Sequence, residues 1–393
     1  MIYLDNNATT QIDPAAIEEM MPFLTTAYAN PSSGYQSAVQ VRQAMERARE
    51  KLAATLGCKP SEIIFTSGGT EANNAAINSA LRFEPRGKHV ITTAVEHSAI
   101  RRHCQELSKR GCDVTFLEVD SDGNLDMAEM EKSIRPETAI VSVMWANNET
   151  GVVFPVEEIA QVCRSKRVLF HTDAVQVIGK MVLGVGKTAI NLLSLSAHKF
   201  HGPKGVGALF IREGTRFHSS LIGGSHESGR RAGTENVASI VGLGKAAEIG
   251  GEKIVEEQKR VGALRDHFEK AMMQQVQGAT INGARARRLS NTTSISFEGV
   301  ESQAALLLLD RYGVCCSAGS ACRTGAAEAS HVLKAMHVNE ERARGTLRFS
   351  FGRFNSETDL IQGTEIVSRV IGKLRSLAKP DYAGLRSETQ AAG

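Results

Sequence analysis

Three short stretches of this chain bring together residue types that could do covalent chemistry. In FTSGGTEANNAAIN a β-like run passes through Ser67, Gly68, Gly69 and Thr70 directly into a helix. Free backbone N–H groups, a hydroxyl and the positive end of a helix therefore meet at one point. That combination suits a phosphate monoester, although a glycine turn capped by threonine is written with the same letters. In VLFHTDAVQ, Asp173 closes an apolar run and Gln176 follows three residues later. A carboxylate in that position either caps the next helix or holds a protonated ring nitrogen. In LLSLSAHKFHGPKG, Lys199 comes just after an apolar run, between His198 and His201 and ahead of a Gly-Pro turn. Beside a buried strand end a lysine loses basicity by desolvation, as an imine-forming amine requires; in a solvated loop it does not.

Joined, the three stretches make one chemical proposal. A phosphate cradle, a carboxylate for a pyridinium nitrogen and a Schiff-base lysine, in chain order, are the fixtures that pyridoxal phosphate needs. To act together they must stand at the carboxyl ends of strands in one open α/β sheet, where such sheets bind their ligands. The chain supplies the strands. From about residue 60 to 240, SEIIFTS, KHVITTAVEH, DVTFLEVD, TAIVSVMWAN, VLFHTDAV, INLLSLSAH and VGALFIR alternate with helical stretches. These runs are apolar enough to be covered on both faces, which predicts a largely parallel seven-stranded sheet. Before them, SAVQVRQAMERAREKLAATLG places Val41, Met45, Ala48, Leu52 and Leu56 on one helical face and stops at Gly57. That face is expected to pack against the sheet or a partner subunit. Near residue 250 the texture changes to a long charged amphipathic helix, GEKIVEEQKRVGALRDHFEKAMMQQV. Beyond it TSISFEG, VCCSAG and GTLRFSFG read as short strands and ESQAALLLLDRYG as a helix. The expected organisation is a large α/β domain over 13–250 and a smaller α+β domain over 251–393, with residues 1–12 packing on the smaller one.

Composition narrows the class. Of 393 residues, 42% are apolar and 23% charged, as in ordinary globular chains, and a net charge of +3 is too near balance for a general polyanion binder. No run approaches the roughly 18 apolar residues of a membrane span, and MIYLDNNATT lacks the basic and apolar regions of a signal peptide. The expectation is a cytoplasmic protein with neither nucleic acid nor membrane as partner. Of seven cysteines, Cys58, Cys104, Cys112 and Cys163 stand apart and read as small hydrophobes. Cys315, Cys316 and Cys322 lie close together in the loop-like GVCCSAGSACRTG, without ordinary zinc spacing, and no metal is expected. Three motifs are set aside. GVGKT at 184–188 lacks the earlier P-loop glycine, its place being taken by Met181. DSDGNLD at 120–126 has its glycine fourth rather than sixth for a calcium loop, and Arg285, Arg287 and Arg288 read as a solvated loop.

Further motifs run the length of the chain: YLDNNATT, NPSS at 30–33, VEH ending at His97, MWANNETG, GRRAGTEN, GSAC ending at Cys322, and LRFSFGRF. With FTSGGTE, HTDAVQ and SAHKFHGPKG they resemble, in order, the class V, fold-type I pyridoxal-phosphate enzymes, and among these the cysteine desulfurases of the NifS/IscS type. The resemblance implies that Lys199 carries the cofactor, that Gly69, Thr70, Ser196 and His198 hold its phosphate, and that Thr234 reaches in from the other subunit of a homodimer. It implies that Asp173 binds the ring nitrogen, Gln176 the phenolic oxygen and His97 the ring face, where His97 also assists proton transfer. Asn148 and Arg348 would orient the carboxylate of L-cysteine, arginine's planar fork being suited to two carboxylate oxygens. Cys322 would take the sulfur as a persulfide and pass it to an acceptor such as an iron–sulfur scaffold protein, leaving alanine. The family usually reads SSGSACTS around that cysteine and has proline in a following Glu-Pro-Ser; this chain has SAGSACRTG and Ala329.

Overall fold

The computed structural model describes residues 1–83, 87–318 and 330–378. The N-terminal strand β1 (Ile2–Tyr3) is followed by helices α1 (Pro14–Thr25) and α2 (Gln36–Leu56). A repeating strand and helix pattern comes next: β2 (Ile63–Thr66), α3 (Gly69–Phe83), β3 (His89–Thr93), α4 (Ser98–Lys109), β4 (Asp113–Leu117), α5 (Met127–Ser133), β5 (Thr138–Ser142), α6 (Val156–Ser165), β6 (Leu169–Asp173), β7 (Leu192–Ser196) and β8 (Gly207–Ile211). All seven expected strands are present. They form one sheet in the order β2-β8-β7-β6-β5-β3-β4, parallel except for β8, which runs antiparallel to both neighbours.

Period-two burial explains why these segments are strands. Ile63 and Phe65 enter the apolar layer shared with α2 and α6, whereas Ile64 between them faces the layer under α3 and α4. Both faces are covered, so the strands are apolar throughout. Cys163 packs in the first layer and Cys104 and Cys112 in the second, as small hydrophobes.

After the sheet comes α7 (Val237–Gln275), a helix of 39 residues, capped where the Asn236 side chain accepts from the Ser239 N–H. The position near 250 where the sequence changes texture falls inside it. Ile240, Leu243, Ala246 and Ala247 belong to the large sheet's core, and Val261, Leu264, Phe268 and Met272 to a second core. The rest of the chain forms β9 (Ala279–Ile281), β10 (Thr292–Phe297), α8 (Ser302–Arg311), β11 (Val314–Cys315), β12 (Ser317–Ala318), α9 (His331–Ala335), α10 (Glu340–Arg344), β13 (Thr346–Ser350) and α11 (Glu357–Ala378) around that second core, except that α9 sends Val332, and Met336 after it, into the large sheet's core. Here β12-β13-β10-β9 make an antiparallel sheet, and β1 pairs in parallel with β11. In the basic run at 285–288, Arg285 and Arg287 are exposed as expected, with Arg285 paired to Asp122, whereas Arg288 is drawn in by a two-pronged pair with Glu269 of α7.

The glycines of α7 do not break it, because they serve close packing. A Cβ at Gly244 would lie 2.5 Å from Ala48 Cα, so α2 and α7 cross backbone to backbone. Gly372 on α11, by contrast, has no atom within 4 Å of such a Cβ. Alanine gains about 1 kcal/mol of helix propensity over glycine, and overpacking costs about 1–3 kcal/mol or more when the obstacle is backbone. Gly372→Ala should therefore raise the thermal midpoint and Gly244→Ala lower it, as read by calorimetry; a rise for both would show that the helix crossing tolerates the extra carbon.

Candidate active site

The carboxyl ends of β6 and β7, the start of α3 and the segment after β1 enclose a cavity of about 650 Å³. Gly69, Thr70, His97, Asn148, Asp173, Gln176, Ser196, His198, Lys199 and Arg348 all line it. Ten residues singled out from the sequence, from Gly69 to Arg348, are thus brought to one space. Thr234 is not among the lining residues of its own chain; it is exposed just ahead of α7. Cys322 lies outside the described residues.

Lys199 ends a short 3₁₀ turn after β7, and its Nζ donates to the backbone carbonyls of Asn7 (2.8 Å) and Ala8 (2.7 Å). Burial, with the Arg348 charge second, lowers its pKa to about 8, against the opposing pull of Asp173 and Asp5. Two residues on, His201 holds a left-handed φ of 69°, unusual for a side chain other than glycine. Its N–H bonds Thr10 Oγ1 and its ring bonds the Gln11 carbonyl, which fixes the turn that aims Lys199.

Asp173 is buried, and its two oxygens accept from Asn73 Nδ2 (2.7 Å) and the Val175 N–H (3.0 Å). Gln176 Nε2 donates to the Asn7 carbonyl at 3.0 Å. His97 caps α4: its Nδ1 accepts the Ala99 N–H, so the neutral ring carries its proton on Nε2. It opens onto the cavity, yet the surrounding protein mass disfavours charging it and lowers its pKa, with Asp173 opposing and Lys199 assisting. His198 is lowered to about 4 by burial and then by Lys199, and its Nδ1 lies 3.2 Å from Thr9 Oγ1.

On the opposite wall the Arg348 fork is partly engaged. Nη1 donates to the Asn148 carbonyl (3.0 Å) and Nη2 to Asp5 Oδ1 (2.7 Å), while Nε is buried without a partner. The Asn148 side-chain amide has no hydrogen-bond partner among the described residues. Beside it, burial raises Glu149 to about 7, although Ser330 Oγ donates to it at 2.5 Å and Arg348 opposes the rise.

These residues fit pyridoxal phosphate. The first N–H groups of α3, at Gly69 and Thr70, have no acceptor among the described residues, as at any helix start, and could take phosphate oxygens. The cradle closes tightly: a Cβ at Gly69 would meet Val175 Cγ2 at 2.7 Å. Ser196 and His198 line the same wall, Asp173 offers a buried carboxylate to a protonated nitrogen, and Lys199 a weakened amine to an aldehyde. Asn7, Asn73, Lys180 and Glu149 support this set and were missed as site residues; Asn7, Asn73 and Glu149 lie within motifs read for other letters, and Lys180 lies in none.

A doubly covered α/β sheet with lysine, carboxylate and helix start at its strand ends defines a pyridoxal-phosphate enzyme of fold-type I. The chain belongs to the class-V aminotransferase family, whose model matches residues 2–362, and within it to the cysteine desulfurases. It is 47% identical over 386 residues to a cysteine desulfurase of Nostoc sp., covering 98% of this chain and 96% of that one. It is 44% identical over 378 residues to the cysteine desulfurase IscS of Dictyoglomus turgidum, covering 96% of each. Among solved structures, a NifS-like protein superimposes with a TM-score of 0.89 at 38% identity, covering 95% of this chain and 99% of that one. SspA in complex with cysteine superimposes at 0.80 and 33% identity, covering 91% and 100%.

The lowered lysine gives a pH prediction. Between about 8 and the unfolded value of 10.5, the unfolded chain binds a proton that folded Lys199 has lost, so this residue's contribution to stability rises with pH across that window. In cofactor-free protein, acetylation of Lys199 followed by peptide mass spectrometry should reach half its limiting rate near pH 8. Exposed lysines should do so near about 10.4. A midpoint for Lys199 equal to theirs would contradict the assigned environment.

Proposed function

We propose that this enzyme removes sulfur from L-cysteine, releasing L-alanine and leaving the sulfur as a persulfide on Cys322. The observation that carries the reading is the meeting of a weakened Lys199 amine, the buried Asp173 carboxylate and the open start of α3 in one cavity. The named activity of the relatives and the cysteine complex of a related protein support the substrate.

Lys199 would bind the cofactor's aldehyde carbon and later move protons at its Nζ. Gly69, Thr70, Ser196 and His198 would hold the phosphate, with Thr234 supplied by a second subunit. Asp173 would keep a proton on the ring nitrogen, Gln176 would donate to the phenolic oxygen, and His97 would lie against the ring with Nε2 available for proton transfer. When bound, pyridoxal phosphate supplies an electron sink for the pair left on the substrate's α-carbon. Arg348 and Asn148 would orient the substrate carboxylate through donors that the structure leaves unused. In the net reaction the Cβ–S bond of cysteine breaks, an S–S bond forms to the Cys322 sulfur and the carbon gains a proton. L-cysteine and a thiol thus give L-alanine and a persulfide without an added oxidant.

The same reading takes the protein as a homodimer. It is supported by the exposed apolar side chains of Tyr28, Tyr35, Leu221 and Ile222. It takes the acceptor to be a protein thiol such as that of an iron–sulfur scaffold, in keeping with the IscS relative. The cysteines among the described residues are all free thiols, which suits a reducing cytoplasm. We also divide the chain into units over 13–250 and 251–393, the latter with residues 1–12, supported by the separate cores that α7 joins.

Single turnover of the loaded enzyme with L-cysteine and no reductant tests the reading. About one alanine and one persulfide per subunit are expected, with the persulfide mapped to Cys322. Cys322→Ala should yield no persulfide while the cofactor still binds. Pyruvate or another keto acid without persulfide would overturn the assignment in favour of a lyase or aminotransferase.

A further inference from the structure

Behind the cavity wall, the turn after Gln176 buries a second amine whose function the reaction described above does not account for. Lys180 Nζ donates to Gln176 Oε1 at 2.8 Å and to Asn7 Oδ1 at 3.0 Å. Gly179 makes this possible: its φ of 71° and a Cβ position 3.0 Å from Phe200 admit only glycine readily, and the turn carries Lys180 inward. Lys180 is not among the residues lining the 650 Å³ cavity; it shares with Lys199 only a separate space of about 30 Å³ behind it.

We propose that Lys180 is a positioning residue that holds the amide of Gln176 in one orientation, with its nitrogen rather than its oxygen presented to the cofactor's phenolic oxygen. The inference rests on the reading that places that oxygen at Gln176. A carboxamide has one acceptor atom and one donor atom, and each is anchored separately. Oε1 is held by Lys180 Nζ, and Nε2 gives one hydrogen to the Asn7 carbonyl at 3.0 Å. The second hydrogen of Nε2 is the one left for a ligand. With Lys180 removed, Oε1 would be buried without a donor, a penalty relieved by rotating the amide until the oxygen reaches the cavity. An acceptor would then stand where a donor stood.

The surroundings of the amine agree. Burial, then the charges of Lys199 and Arg348, pushes the Lys180 pKa well below its ordinary value. Lys180 Nζ has two oxygen acceptors within reach, and it donates to both. Asn7 Oδ1 is itself fixed, since it also accepts from Asn291 Nδ2 at 3.0 Å.

A donor on the phenolic oxygen stabilises its anionic form and lowers the pH at which the bound chromophore loses its proton. The test is a pH titration of visible absorbance on the cofactor-loaded protein for wild type, Lys180→Met, Gln176→Ala and the double variant. Each single variant should raise the spectral midpoint by about half a unit or more, and the double variant no further than Gln176→Ala alone. An equal Lys180→Met shift in the Gln176→Ala background would overturn the proposal, because Lys180 would then act through charge or packing. So would no Lys180→Met shift beside a clear Gln176→Ala shift. An unmoved midpoint in Gln176→Ala would instead remove the placement of the phenolic oxygen on which the inference stands. Lys180→Gln, which keeps a neutral donor, is the second variant should methionine prevent folding; it should hold the wild-type midpoint, and a rise like that expected of methionine would count against the proposal.

Discussion

The backbone carbonyl of Asn7 accepts from both Lys199 Nζ and Gln176 Nε2, and the active-site wall depends on that shared acceptor. Burying an amine and an amide requires hydrogen-bond partners that do not move, and an irregular segment provides them only if it is itself tied down. Asn7 is tied at every polar atom. Its N–H donates to Ser350 Oγ, its Nδ2 to Thr292 Oγ1 and the Asn148 carbonyl, and its Oδ1 accepts from Lys180 and Asn291. These partners come from both cores. The N-terminal segment therefore acts as the seam along which the large sheet and the smaller sheet face each other, and the cavity lies on that seam.

The seam also sets the electrostatics. Lys199, Lys180 and Arg348 share one poorly hydrated region, and arginine keeps its proton in protein environments while lysine can yield one. Burial first, and like-charge repulsion second, lower the pKa values of the two lysines, and Arg348 is balanced by Asp5 at 2.7 Å. Ser317 at the start of β12 donates to the same Asp5 oxygen. The arginine assigned to the substrate carboxylate is consequently held at a partly satisfied position rather than waiting as a bare charge. In the proposed role, a substrate anion would compete with Asp5 for its fork, trading some affinity for a fixed direction of approach.

Much of this could be read from contiguous letters. Lys199, Asp173 and the Gly69-Thr70 turn each follow an apolar run, so their place at strand ends came from periodicity alone, and the strands themselves stand where the runs are. The supporting amides could not be read in that way. Asn73 meets Asp173 across 100 residues and Asn7 meets Asn291 across 284, and nothing local marks an asparagine as the partner of a distant carboxylate or amide. Lys180 was hidden for a different reason: a lysine after Gly179 reads as solvated until tertiary packing shows the amine turned inward. Thr234 belongs to a relation between two chains, which one sequence names only by resemblance.

The unbroken course of α7 has a mechanical side. At 1.5 Å per residue the helix is about 58 Å long, and it is gripped near one end where Gly244 lies against Ala48. Ties to the large sheet's unit continue as far as Gln258, whose Nε2 donates to the Lys180 carbonyl, so the arm from there to Gln275 is roughly 26 Å and a tilt of about 3° would displace its end by roughly 1 Å. Because one unbroken helix enters both cores, any change in the angle between the two halves of the molecule has to be taken up by packed side chains rather than by a joint in α7.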